Sequence, residues 1–258
     1  MVSISFTIAT LLLASPNAGQ ANGFRPDVRA ESTAPKPAIP DRTVTPELRG
    51  DIFMARKMYR EAVDAYREGG STDSTLVNKT GIAYHQMLDL DSARKCYERA
   101  VRLNPQYSEA MNNLGTVYYA RKNYRRAITQ YKRALKVAPK SASIYSNLGT
   151  AYFARKTYPE AMKAYETALA LDPEVFEHRG GAGVLLQERT VEERAKFHYY
   201  QAKLYAKQGM NDRALLCLRK AIEEGLKERG KIGDEPAFDD LRELPEFKEI
   251  LAWQPRVL

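Results

Sequence analysis

The chain repeats itself every 34 residues, and that period constrains its fold more than any single motif does. NNLGTVYYARKNY at 112–124 and SNLGTAYFARKTY at 146–158 agree at nine of thirteen positions. The same offset links Ala127 to Ala161, Tyr131 to Tyr165, Ala134 to Ala168 and Pro139 to Pro173. One period earlier stand Gly81, Tyr84, Ala93, Tyr97, Ala100 and Pro105. A glycine inside a helix costs roughly 1 kcal/mol relative to alanine, so Gly115 and Gly149 call for a packing reason. Gly115 on a first helix and Ala127 on a second are both small, which lets two axes approach closely, with Tyr118 and Tyr131 filling the space beside them. Pro139 lacks an N–H and closes the unit.

This pattern resembles the tetratricopeptide repeat, in which a bulky residue, Leu-Gly and Tyr lie on a first helix and Ala, an aromatic, Ala and a terminal Pro on a second. Units 74–107, 108–141 and 142–175 match it closely, although Thr80 stands where the leucine is expected. A shorter unit, 43–73, keeps Gly50, Phe53, Ala62 and Tyr66 but has Gly69 in place of the second alanine, so its second helix is expected to end at Gly69-Gly70-Ser71. A fifth unit, 195–228, keeps Ala202, Tyr205, Ala214, Leu218 and Ala221. The resemblance implies an all-α, right-handed α-solenoid of about five helix pairs over 43–228, of the kind found in bacterial proteins.

Residues 176–194 interrupt the array. Gly180, Gly181 and Gly183 oppose helix, and Thr190 with Glu193 makes a capping box that starts the next helix near Val191. The glycines lack the Gly-Lys-Ser/Thr ending of a phosphate loop. This insert is expected to lie over one mouth of a groove. Residues 229–258 read as two short helices with Pro236 and Pro245 at first positions. Their Phe238, Leu241, Phe247, Ile250 and Leu251 are placed to cover the last repeat, as a solenoid requires for solubility. At the other end, residues 1–21 hold an apolar run too short to span a bilayer, which reads as a secretory signal ending near Ala21, though without a basic start. Residues 22–42 are a Pro-rich linker. The expected location is periplasmic or secreted, the alternative a cytoplasmic protein with an unstructured tail.

No nucleophile elbow, Walker loop, dinucleotide fingerprint or metal-ligand spacing occurs, so the chain is read as non-enzymatic, without catalytic residues, metal or cofactor. Cys96 and Cys217 hold the same register in the second and fifth units, with two units between them, beyond disulfide reach, and are expected to be free thiols. Net charge is +8, and unit 108–141 alone carries +7: Arg121, Lys122, Arg125, Arg126, Lys132, Arg133, Lys136 and Lys140 against Glu109. That cluster reads first as a solvated outer face. Its alternative is an assembly surface for nucleic acid or anionic membrane, although no base-reading motif accompanies it.

By the resemblance, the first helices line a concave groove. Its candidate peptide-binding residues are Asn78, Lys79, His85, Asn112, Asn113, Thr116, Tyr119, Ser146, Asn147, Thr150 and Phe153. Carboxamides offer a donor and an acceptor together, which suits a peptide backbone. Too few basic residues fall in the groove for the family's carboxylate clamp. The function expected is a protein–protein interaction scaffold holding a protein or peptide segment, in cell-envelope assembly, with no stable membrane insertion.

Overall fold

The computed structural model describes residues 44–177, 190–227 and 229–253. Its helices come in pairs, the second to fourth of them at the 34-residue spacing. They are α1 (Pro46–Ala55) and α2 (Tyr59–Glu68), α3 (Ser74–Gln86) and α4 (Leu90–Leu103), and α5 (Ser108–Ala120) and α6 (Tyr124–Val137). After them come α7 (Ala142–Ala154) and α8 (Tyr158–Leu171), then α9 (Val191–Lys207) and α10 (Asn211–Glu223). Each helix packs chiefly on its pair partner, and each second helix on the next first helix up to α7. The chain is an all-α solenoid, and no strand occurs among the described residues.

The repeated glycines have a specific partner. A Cβ built on Gly50, Gly81, Gly115 or Gly149 would lie 2.3, 2.6, 2.5 or 2.6 Å from the ring of Tyr66, Tyr97, Tyr131 or Tyr165. The tyrosine of the second helix therefore lies flat on the bare backbone of the first. Gly115 makes room for Tyr131, where the sequence had suggested Ala127. The fifth unit is consistent with the coupling, because the same two register positions hold Ala202 and Leu218, both fully buried. Where the ring is lost, the glycine is lost with it.

Each turn between paired helices is built alike. Lys57, Leu88, Lys122, Lys156 and Gly209 share one register position, and all five have positive φ, between 58° and 70°. The next residue's N–H reaches back to the carbonyl four positions before that point, as in Asn123 to Tyr118 at 2.8 Å and Met210 to Tyr205 at 2.9 Å. This closes the first helix and aims the second, which begins behind caps such as Asp89 and Asn123. Only the fifth unit uses the glycine that suits left-handed backbone.

Unit 43–73 does end early: α2 has ten residues where α4, α6 and α8 have fourteen. Helix α9 starts at Val191 behind the Thr190–Glu193 capping box. It stacks on the fourth unit through Phe197, whose ring centroid lies 5.5 Å from Phe153 and 5.8 Å from Tyr165. Past α10, a 3-10 helix (Pro236–Leu241) and α11 (Pro245–Ala252) seal the end. Phe238, Leu241, Phe247 and Ile250 are buried there, while Leu251 is only half-buried. The Pro-rich linker, the signal-like run and glycines 180, 181 and 183 lie outside the described residues, as does the expectation that the insert covers the groove.

Candidate functional site

The first helices of successive units are tied together through one repeated register. In units two to four the sixth residue reaches back to the fifth residue of the unit before. Asn113 Nδ2 donates to Asn78 Oδ1 at 3.1 Å, and Asn147 Nδ2 donates to Asn112 Oδ1 at 2.9 Å. At the first junction the same positions carry charge. Lys79 Nζ donates to Glu47 at 2.7 Å and to both oxygens of Asp51 at 2.8 and 2.9 Å. Burial pushes the Asp51 carboxyl up, but hydrogen bonds from Lys79 and Tyr66 and the Lys79 charge outweigh it, and the net shift is downward. Burial likewise opposes the charge on Lys79, yet Asp51 and Glu47 hold its pKa above the ordinary value.

These links divide the eleven groove candidates. Asn78 is fully buried and also donates to Tyr107 and Glu109, so it is a structural tie and not a ligand-facing amide. Lys79 is committed to its two carboxylates. Ser146 and Thr150 are buried; Thr150 donates to the Ser146 carbonyl and accepts from Tyr165 OH at 3.0 Å. Thr116 is half-buried and pairs with the Asn112 carbonyl and Tyr131. His85 is half-buried, and desolvation holds its pKa below the usual histidine range. Asn112, Asn113 and Asn147 remain half-buried on the first-helix face. Each spends one amide group on its neighbour and keeps the other: Nδ2 of Asn112, and Oδ1 of Asn113 and of Asn147.

Tyr119 and Phe153 are buried side chains on the floor of a cavity of about 250 Å³ where units three, four and five meet. Tyr124 and Tyr158 join them, and Lys122, Lys156 and Lys196 stand at the walls with Glu193. The rings pair edge-on or tilted, Tyr119 with Tyr124 at 5.3 Å and Phe153 with Tyr158 at 5.2 Å. Lys196 Nζ sits 4.6 Å above the Tyr158 ring. No groove assignment from sequence included the three lysines. Their signal was present in the repeated Arg-Lys of ARKNY and ARKTY, which puts Lys122 and Lys156 one period apart at the left-handed turn position.

The basic third unit is partly engaged within the fold. Arg121 pairs with Asp91 at 2.8 Å, Arg126 lies over Tyr118, and Lys132 over Tyr152. Cys96 and Cys217 are free thiols, the first half-buried and the second buried, with burial pushing Cys217 up to about 11. No group of His, Cys, Asp and Glu suited to a metal occurs among the described residues, and no described helix is long and apolar enough to cross a membrane.

The family models agree with this architecture. A family model described as TPR repeat matches residues 81–121 and 115–155, and one described as tetratricopeptide repeat matches 142–175. Among solved structures the chain is similar to MamA, with 20% identity over 68% of this chain and 93% of that one, TM-score 0.49. It is also similar to residues 41 to the end of MamA from Desulfovibrio magneticus RS-1, with 21% identity, coverage of 71% and 93%, and TM-score 0.49. A third is YrrB, described as a TPR protein with an unusual peptide-binding site, with 18% identity, coverage of 68% and 82%, and TM-score 0.46. No curated protein matches the chain.

Proposed function

From a chain that carries tetratricopeptide repeats across residues 81–175, with helix pairs of the same register on either side, we propose a protein-interaction scaffold that holds a protein segment against its first helices. The observation that carries this reading is the row of half-buried amides. Asn112, Asn113 and Asn147 are oriented by their links, yet each keeps one hydrogen-bonding group without a partner among the described residues. Groups fixed in advance lose little freedom on binding, and an extended backbone offers matching donors and acceptors. The lysine and aromatic cavity beside them suits an acidic or aromatic anchor of the bound segment. The proposal includes no chemistry at the site and keeps the exported, envelope location suggested by residues 1–21.

The test is capture of partners from fractionated native lysate on immobilised protein. Two variants are compared with wild type: Asn113→Ala with Asn147→Ala, and Lys122→Glu with Lys156→Glu. Neither lysine forms an ion pair with a described residue, so the second variant spares the described fold while reversing charge at the cavity. A protein retained by wild type and lost by both variants supports the groove. Equal retention by all three rejects it.

A further inference from the structure

Two departures from the repeat fall at the same place. Helix α2 lacks the last turn that every other second helix of the first four units has, and the chain swings away through Gly69 and Gly70. At the next junction that turn is present. Ala100 and Val101 at the end of α4 are buried in one cluster with Met111 and Leu114 of the following first helix. The first junction has neither the turn nor the leucine, because Thr80 occupies the position of Leu114 and Leu148. Either change alone would thin the packing. Together they leave an open cavity of about 370 Å³ between α2, α3 and α4, within the range of about 300–1,000 Å³ typical of small-ligand sites.

Its chemistry is uneven in a useful way. Val77, Thr80 and Cys96 form the wall, and the Thr80 hydroxyl is already satisfied by the Leu76 carbonyl at 2.8 Å, so the wall asks for no polar ligand atom. Arg67, Lys95 and Arg99 stand around the opening, and no carboxylate lines it. Arg67 is held in place by Tyr84, whose hydroxyl accepts from Nη2 at 2.7 Å. Lys95 and Arg99 form no ion pair with any described residue. An apolar slot with three cations at its mouth fits a molecule with an alkyl body and an anionic end. We propose that this cavity binds a single-chain amphiphilic carboxylate of medium length, chain inward and carboxylate at Arg67, Lys95 and Arg99. The site lies between α2 and α4, apart from the first-helix amides, and does not depend on the scaffold reading.

Cys96 makes the proposal measurable in the full-length protein, because its half-buried thiol lines the cavity while Cys217 is buried elsewhere and serves as an internal reference. The rate of Cys96 alkylation by iodoacetamide is followed by mass spectrometry with decanoate, with decanol, and with neither. Decanoate is expected to slow Cys96 and leave Cys217 unchanged, and decanol to require a higher concentration. Lys95→Gln with Arg99→Gln should weaken decanoate by about tenfold or more, the scale of lost charge-assisted hydrogen bonds, without affecting decanol. Thr80→Leu restores the residue of units three and four, fills the wall and should abolish protection while circular dichroism stays unchanged. Protection that survives Thr80→Leu in a folded protein overturns the proposal. So does decanol matching decanoate at equal concentration.

Discussion

The two ends of the solenoid solve the same problem differently. At the C-terminal end, α10 and α9 are covered: Phe238 packs 6.0 Å from Tyr199 and 5.9 Å from Phe247, and Ile232, Leu241 and Ile250 are buried around them. Polar ties reinforce the seal, with Glu235 accepting from Tyr199 and from Lys203. At the N-terminal end, Leu48 and Ile52, one turn apart on α1, are exposed, Leu48 by 52%, as is Val44 just before the helix cap. The buried cluster beneath them is small, comprising Ala62, Val63, Tyr66, Leu76 and Ala83. Stability in a repeat array is roughly a sum of unit and junction terms, so an end with fewer buried groups opens first. Tertiary order should therefore fall off toward α1, although both ends carry the same repeat.

The largest expected effect breaks this contrast at its strong end. Phe238→Ala removes a fully buried ring and should destabilise the C-terminal units by about 3–5 kcal/mol. Leu48→Ala, on the exposed stripe of α1, should change stability by no more than about 0.5 kcal/mol. Hydrogen exchange resolved by peptide separates the two. Phe238→Ala should raise exchange in α9 and α10 toward that of α1 and α2. Unchanged protection in α9 would show that the cap covers the end without stabilising it.

A second comparison sets the fourth unit against the fifth, where Gly149 faces Tyr165 and Ala202 faces Leu218. Gly149→Ala would drive a Cβ into a buried ring at 2.6 Å and should cost about 1–3 kcal/mol, despite alanine's better helix propensity. Gly149→Ala with Tyr165→Leu copies the fifth unit and should recover part of that loss. A double-mutant cycle from chemical denaturation then reads a favourable coupling, and additivity would show that the rings do not require the glycines.

Much of this was legible in the sequence because a 34-residue period fixes register, and register fixes which positions meet. The helix pairs, the early end of α2, the capping box at Thr190 and the apolar seal at Phe238 and Phe247 all follow from spacing, turn chemistry and caps. Partners were less legible. Spacing brought Gly115 near the second helix but did not say that the Tyr131 ring, and not Ala127, would lie on it. Phe153 belonged to a groove position, yet its environment depends on Phe197 and Tyr200, which arrive after the insert and pack on it at 5.5 and 5.8 Å. Asn78 was read as a group for a ligand because one unit viewed alone offers no neighbour; the structure supplies that neighbour, Asn113, from the adjacent unit.

The turns allow a finer comparison. Leu88 is 81% exposed and adopts φ 62°, while Gly209 at the same register adopts 70° without steric penalty. Leu88→Gly should raise stability by about 0.5–1 kcal/mol, the relief of left-handed strain less the added freedom of the unfolded chain. Gly209→Ala should lower it by about 1 kcal/mol. Thermal unfolding of both variants checks the pair. If Leu88→Gly loses stability, the exposed leucine is held by a contact within the chain and not by the turn alone.

The smallest effect returns to the weak end and concerns pH. The first junction is an ion-paired link, Lys79 with Glu47 and Asp51, where the next two are neutral amides. Asp51 has a folded pKa below its unfolded value, so its contribution is complete above the unfolded pKa and is lost as pH falls through the folded one. Lys79, raised when folded, contributes fully below its unfolded pKa and loses that contribution only as pH climbs through the folded value. The link is therefore intact near neutrality and fails first on the acid side, below the ordinary carboxylate range. Asp51 is well exposed, so solvent screening limits the effect to about 0.5 kcal/mol or less. Exchange in α1 and α2 of wild type should quicken between neutral and acid pH beyond the intrinsic pH dependence of exchange, while α5 and α7, joined by amides, should not. Lys79→Met should remove that difference. If acid leaves α1 as protected as α5, the ion pairs are interchangeable with the asparagine link, and the weakness of this end lies in its uncovered apolar stripe alone.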